Sequence, residues 1–237
     1  MNFSKYKAMS FDCYGTLIDW ETGILTQLQA WAKQQNLQVS NTKLIELFGQ
    51  HERAVQAETP AEIYPKILMK VHQRIARSLQ CQSTENDAIA FGHSVGDWPV
   101  FPDTVEALKK LSRHYQLFIL SNVDRNTFQK TNEKLGIVFD GVVTAQDVGS
   151  YKPDPKNFIA IKQCVADAGI AAEALLHVGE SIYHDVIPGT DANLDTAWID
   201  RQLDNPNATR ASGAIDTKIK PTVKLGSMEH LANIAIS

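Results

Sequence analysis

Sulfur is scarce in this chain, and long apolar runs are missing from it. Its three cysteines, Cys13, Cys81 and Cys164, are odd in number and widely spaced. That spacing excludes a disulfide framework and fits no metal-ligand pattern, so free thiols in a reduced, cytoplasmic setting are expected. No apolar stretch approaches the ~20 residues needed to span a bilayer. The opening Met1-Asn2-Phe3-Ser4-Lys5-Tyr6-Lys7 has none of the apolar stretch of a secretory signal. A surplus of charge is lacking as well: the formal net charge is −4, which gives no electrostatic case for nucleic acid or for an acidic membrane surface. A small anionic substrate would therefore need a local positive site. Internal repeats and low-complexity tracts are absent.

What remains is an ordinary globular balance. The 237 residues are 43% hydrophobic and 21% charged, enough to bury a sizeable interior as one large domain or as a core with a smaller insert. The organising stretch is Met9-Ser10-Phe11-Asp12-Cys13-Tyr14-Gly15-Thr16-Leu17-Ile18-Asp19-Trp20. An apolar run from Ala8 to Phe11 has strand character and delivers Asp12 at its carboxyl end, after which Gly15 lets the backbone turn. Ligands sit at that end of the strands in an open α/β sheet. An aspartate there can serve as a covalent nucleophile, or it can simply cap the next segment.

Beyond Asp12 the pattern turns helical. Ile24, Leu25, Leu28 and Trp31 recur at helical spacing, and Ser40 stands as an N-cap before Leu44, Ile45, Leu47 and Phe48. A third helix follows Pro65 through Ile67, Leu68, Val71, Ile75 and Leu79, and Thr84 with Asp87 starts a fourth ending near Gly92. From Trp20 to Asp97 no strand is convincing. Trp98-Pro99-Val100-Phe101-Pro102-Asp103 marks a boundary, because each proline pushes its predecessor out of helical geometry.

After that boundary strands and helices alternate. Helices are expected at Thr104 to His114, Thr127 to Leu135, Pro155 to Ala168 and just after Asp185; strands at Leu117 to Leu120, Gly141 to Ala145, Leu175 to Val178 and Thr196 to Ile199. This alternation implies right-handed crossovers and a parallel sheet covered on both faces. The expected fold is α/β, a doubly wound parallel sheet formed by residues 1–18 and 98–237, with residues 19–97 as a helical insertion. Gln202 to Thr222 reads as a long surface loop and Met228 to Ala235 as a last helix.

Four loops leaving strand ends carry residues with chemical potential. They are Asp12 with Thr16; Ser121-Asn122; Lys152 in Tyr151-Lys152-Pro153-Asp154-Pro155; and Gly179-Glu180-Ser181-Ile182-Tyr183-His184-Asp185. Each alone has a dull reading as turn chemistry, a solvated lysine or helix-start acids. Together and in order they resemble the four motifs of the haloacid dehalogenase (HAD) superfamily. Asp-x-Tyr-Gly-Thr-Leu-x-Asp looks like motif one of its type II 2-haloacid dehalogenase branch, and the helical insertion corresponds to the family's cap.

The resemblance implies a hydrolase with a covalent intermediate on Asp12, Lys152 orienting that carboxylate, and Thr16, Ser121 and Asn122 fixing the anionic end of a small substrate. Tyr14 and nearby amides would surround the leaving group, with Trp20 and the cap arginine Arg53 also on the substrate. Caps of this branch often help build homodimers. Superfamily phosphatases carry a second aspartate two residues after the nucleophile to protonate the leaving alkoxide; here that residue is Tyr14, which favours carbon–halogen cleavage because a halide leaves without a proton. Motif four points the other way. Glu180 and Asp185 stand where the dehalogenases have small polar residues, an asparagine and one aspartate. Like charges beside Asp12 invite Mg²⁺, held by Asp12, Asp185, the Tyr14 backbone carbonyl and Glu180. A Mg²⁺-dependent phosphatase of a small phosphate monoester is thus the alternative, and a non-catalytic binding module the third. His184 is expected to be solvated or to orient a neighbour.

Overall fold

The computed structural model describes residues 2–203 and 220–237; most of the expected loop from Gln202 to Thr222 lies outside the described residues. The chain begins with β1 (Ala8–Phe11) and then runs through four helices, α1 (Trp20–Gln34), α2 (Asn41–Glu58), α3 (Tyr64–Ser78) and α4 (Glu85–His93). It continues through α5 (Thr104–Leu111), β2 (Gln116–Ser121), α6 (Arg125–Leu135), β3 (Gly141–Thr144), α7 (Ala145–Val148) and α8 (Pro155–Asp167). It ends with β4 (Leu175–Gly179), α9 (Ile187–Asp191), β5 (Asp195–Ile199), β6 (Val223–Leu225) and α10 (Met228–Ala235).

The six strands form one parallel sheet in the order β3-β2-β1-β4-β5-β6. β1 is central, and all four of its residues are buried because helices cover both faces. The order reverses beside β1: β2 and β3 build outwards on one side, β4 to β6 on the other. Loops from β1, β2 and β4 therefore open into the same crevice.

Local sequence explains the helix boundaries. Asp19 accepts from the Thr22 amide to start α1, Ser40 from the Lys43 amide to start α2, and Thr84 with Asp87 forms a reciprocal capping box on α4. Gly136, at φ 61°, stops α6 in the left-handed conformation that glycine adopts without penalty.

The four-helix insertion shares its interior with the sheet: Leu28, Phe48, Leu68, Val71 and Phe91 belong to the same apolar cluster as Phe11, Leu117 and Val178. Its attachment is close-fitting. A Cβ on Gly23 of α1 would lie 2.3 Å from the Trp98 ring, so only glycine lets the helix rest on that indole. The Asp19 amide donates to the Pro99 carbonyl at 2.8 Å, pairing the chain's exit to the insertion with its return.

Three elements differ from expectation. α7 is a single four-residue turn that was not foreseen. β6 was not foreseen, since its three residues are too short for any period to register; it pairs in parallel with β5. The expected helix start after Asp185 is preceded by a π-helical turn over Ile182–Val186, which brings Asp185 inward.

Candidate active site

The Asp12 amide donates to the Val178 carbonyl of β4, which carries the sheet register one residue past β1 and fixes where its side chain emerges. That side chain is 7% exposed. Its Oδ1 accepts from Lys152 Nζ at 2.8 Å and its Oδ2 from the Thr16 hydroxyl at 2.8 Å. Lys152 arrives from the loop before α8 and is completely covered. Its ammonium spends all three protons, on Asp12, on the Leu120 carbonyl at 3.0 Å and on Asp185 Oδ1 at 2.6 Å. Asp185 also meets His177 Nε2 at 3.3 Å, while His177 Nδ1 pairs with Ser10 Oγ at 2.9 Å. Gly179 is required here because a Cβ on it would lie 2.5 Å from that of Asp185.

Two residues expected on the substrate serve instead to build this frame. The Thr16 hydroxyl donates to Asp12 and accepts from the Glu180 amide at 2.9 Å, joining the first loop to the fourth. Asn122 clamps the Lys152 backbone, its side-chain amide donating to the carbonyl at 3.1 Å and its oxygen accepting from the amide at 2.7 Å. Thr16 has no proton left for a ligand, whereas Asn122, which lines the cavity, keeps one amide hydrogen. Ser121, by contrast, is buried at the end of β2 with a hydroxyl that has no partner.

Charge and burial compete throughout the cluster. Burial is the strongest influence on Asp12 and pushes its pKa up; Lys152 opposes it, and Asp185 adds to the rise. Burial alone would lower Lys152, but Asp12 and Asp185 outweigh it and hold the ammonium above the ordinary lysine range. Burial also works to raise Asp185, and there Lys152 and His177 prevail, keeping it well below the usual carboxylate range. Glu180 goes the other way: burial first, then the charges of Asp12 and Asp185, push it up to about 8.

In front of Asp12 lies a cavity of about 370 Å³. Asp12, Tyr14, Asn122, Lys152, Glu180 and Asp185 form its sheet side, and Trp20, Phe48, Glu52, Arg53, Gln56 and Tyr64 its helical side. Trp98 closes it between the two, edge-on to Tyr14 with centroids 5.8 Å apart. The Tyr14 hydroxyl bonds Thr131 Oγ1 at 2.7 Å. His184 is not solvated; it lines the cavity, pairs with Ser181 Oγ at 3.2 Å, and burial lowers it to about 4.

Sequence reasoning missed His177, Glu52, Phe48 and Gln56. A histidine inside the otherwise apolar run Leu175-Leu176-His177-Val178 was a readable signal, since a buried polar side chain must find a partner. Glu52 and Gln56 gave none, because an acid and an amide four residues apart on a helix usually face water.

Among the described residues no group of three or more His, Cys, Asp or Glu side chains is close enough to hold a metal ion. Lys152 stands between the Asp12 and Asp185 carboxylates. The donor set still suits an ion that binds through one or two carboxylates and keeps its waters, as Mg²⁺ does, because Asp185 Oδ2 is buried without a partner and Glu180 faces the same cavity.

A family model for haloacid dehalogenase-like hydrolases matches residues 6–193. The chain belongs to the HAD-like hydrolases. It is 27% identical over 203 residues, 85% of this chain and 86% of its relative, to pyrophosphatase PpaX of Oceanobacillus iheyensis. In fold it resembles the L-2-haloacid dehalogenase of Xanthobacter autotrophicus with chloropropionic acid covalently bound, at TM-score 0.79 and 15% identity over 98% of this chain and 99% of that one. It likewise resembles the HAD-hydrolase YfnB of Bacillus subtilis bound to magnesium, at TM-score 0.77 and 18% identity over 98% and 99%. As a HAD-like hydrolase the chain is an enzyme, which removes the expectation of a non-catalytic module. No helix among the described residues is long and apolar enough to cross a membrane.

Proposed function

We propose that this HAD-like hydrolase cleaves the carbon–halogen bond of a small 2-halocarboxylate through an ester on Asp12. The observation that carries the reading is Tyr14. It occupies the position of the phosphatase acid, burial pushes its phenol well above the ordinary range, and its hydroxyl is paired with Thr131. A leaving group that needs a proton finds no donor there, whereas a halide departs as the anion.

In the first step an Asp12 oxygen attacks the halogen-bearing carbon, the carbon–halogen pair leaves with the halide, and a neutral ester forms. Lys152 and Thr16 hold the carboxylate in line for this attack. The unpartnered Ser121 hydroxyl and the amides around it suit the substrate carboxylate. In the second step water adds to the Asp12 carboxyl carbon and one of its protons passes to cavity water, because Lys152 and His177 hold Asp185 too far below the usual carboxylate range to make it an effective base. The ester carbon–oxygen bond breaks on the acyl side, the alkoxide takes up that proton, and a 2-hydroxy acid and Asp12 result, the carboxyl group releasing the second water proton as it ionises. The helical insertion acts as the cap that closes this chamber. The covalent chloropropionate in the Xanthobacter relative supports the reading.

One observation favours a second reading, a Mg²⁺-dependent phosphatase of a small phosphate ester. Burial first, and then the Asp12 and Asp185 charges, raise Glu180 to about 8, and a divalent cation would relieve the part that is repulsion. Asp12, Asp185 and the Tyr14 carbonyl would hold the ion directly and Glu180 through water; it would supply charge stabilisation for a phosphoryl group. The pyrophosphatase relative and the magnesium-bound YfnB support this alternative.

The two readings separate in a paired assay. Purified protein and Asp12→Asn are offered 2-chloropropionate and p-nitrophenyl phosphate, each with Mg²⁺ and with chelator. Halide release indifferent to chelator establishes dehalogenation. Phosphate release abolished by chelator establishes the phosphatase, and product no higher than the Asp12→Asn background from both substrates removes both.

A further inference from the structure

The helical wall of the cavity holds a polar group that no step above uses. α2 presents Glu52 and Gln56, one turn apart, into the chamber facing Asp12. Tyr64, at the start of α3, donates its hydroxyl to Glu52 Oε1 at 2.6 Å and so locks the carboxylate in place. Gln56 beside it is 8% exposed. A carboxylate has two oxygens and about four acceptor positions, and Tyr64 occupies one of them. The remaining capacity belongs to a side chain that lines the chamber.

An apolar wall would serve a simple haloalkanoate better. Halogen and alkyl groups offer nothing to a fixed carboxylate, and leaving one half-buried opposite them costs free energy that Tyr64 only partly returns. A cavity of about 370 Å³ also exceeds what a two- or three-carbon acid fills. Resting on the reading of this cavity as the substrate site, we propose that the natural substrate is longer and carries a hydrogen-bond donor, a hydroxyl or an ammonium, at the end remote from its carboxylate, and that Glu52 receives this donor. Glu52 is then a specificity-determining residue. Tyr64 is a positioning residue that aims it.

The test uses unreactive ligands, so that it does not depend on which bond the enzyme breaks. Calorimetric titration of the full chain compares butanoate with 4-hydroxybutanoate and 4-aminobutanoate, and pentanoate with its 5-hydroxy and 5-amino counterparts. At least one donor-bearing acid should bind about tenfold or more tighter than its parent alkanoate. Glu52→Ala should bring the pair to within about twofold, chiefly by weakening the donor-bearing acid. Glu52→Gln keeps an acceptor for Tyr64, guards against a folding artefact, and should retain part of the hydroxyl preference while losing most of the ammonium preference. Equal binding of donor-bearing and plain acids by the parent protein overturns the proposal. A preference that survives in Glu52→Ala overturns it too. Failure of the halide assay with this preference intact removes the dehalogenase reading and leaves the donor site standing.

Discussion

On the sheet side of the cavity Asp12, Lys152 and Asp185 are 7%, 2% and 1% exposed, and each is fixed by neighbours from a different strand loop. On the helical side Arg53 is exposed and Glu52 half-buried, and the wall is otherwise largely aromatic. The sheet side is built to hold charge in a place where charge is costly, and it can do so because Asp12, Lys152 and Asp185 neutralise one another through direct hydrogen bonds. On the helical side Phe48 and Tyr64 belong to the core, and it is Glu52 and Arg53 that can be exchanged at least cost to the fold. On the proposed reading, chemistry and selection fall to different parts of the chain: the loops around β1, β2 and β4 would decide what reaction occurs, and α2 and α3 on what.

Removing the nucleophile is the strongest way to test that division. Asp12→Asn keeps the shape and an acceptor for only one of the two donors, Lys152 or Thr16, and abolishes the attacking carboxylate, so turnover should fall about 10⁴-fold or more. Residual activity within about tenfold of the parent would show that the covalent step does not run through Asp12. Lys152→Met should follow in size. It leaves Asp12 and Asp185 facing each other without the ammonium, and about 3–5 kcal/mol of stability should be lost in chemical denaturation at neutral pH. The matching change on the other wall, Arg53→Met, should cost less than about 1 kcal/mol. Equal losses from the two would erase the contrast between the walls.

Legibility in the sequence divides along the same line. The strands around Asp12, Ser121 and Gly179 are apolar runs ended by a polar turn, and those ends are where the structure gathers Asp12, Lys152, Glu180 and Asp185. Their pattern was readable because a parallel sheet imposes a regular order of strand, loop and helix. The helical wall offered no such rule. Glu52 and Gln56 look like any solvated pair on α2, and only the packing of Phe48 against Trp20, with ring centroids 5.7 Å apart, turns that face inward. Thr16 and Asn122 were correctly placed near the site by order, yet their hydrogen bonds to Glu180 and Lys152 depend on contacts across 164 and 30 residues, which no local pattern encodes. The two anchors of the far edge are similar: Arg201 pairs with Asp103 at 2.8 Å and donates to the Thr16 carbonyl, so the first loop is held by a residue 185 positions further along the chain.

Within the helical insertion the largest charge effect should come from His72. It is 1% exposed, edge-on to Trp31 with centroids 4.6 Å apart and paired with Ser83 Oγ at 2.7 Å. Burial lowers it to about 4 from an ordinary 6.5. The unfolded chain therefore takes up a proton at pH values where the folded chain does not. Its penalty is absent above about pH 6.5 and grows as pH falls towards 4, where the folded histidine also begins to charge. Between those limits the parent should lose about 2 kcal/mol more stability than His72→Gln. The measurement is a pair of denaturant titrations at pH 7 and pH 4.5, and parallel losses in the two proteins would show that the histidine is already hydrated in the folded state.

The smallest predicted effect is the most informative about how the two walls cooperate. Tyr151 immediately precedes the catalytic-loop Lys152, and its hydroxyl donates to the Glu62 carbonyl, between α2 and α3, at 2.6 Å. It is a direct hydrogen bond from the loop that positions the nucleophile to the segment that carries the specificity wall. Tyr151→Phe deletes one neutral hydrogen bond and leaves the ring packed near Tyr64, so overall stability should drop by only about 1 kcal/mol. If closure of the helical side is what brings Glu52 over the reacting centre, the same change should raise KM by about threefold to tenfold while kcat stays within about twofold, because the chemistry of Asp12 and Lys152 is untouched. A fall in kcat with KM unchanged would place Tyr151 on the other side of the comparison, as a support for Lys152 itself rather than a tie between the two walls.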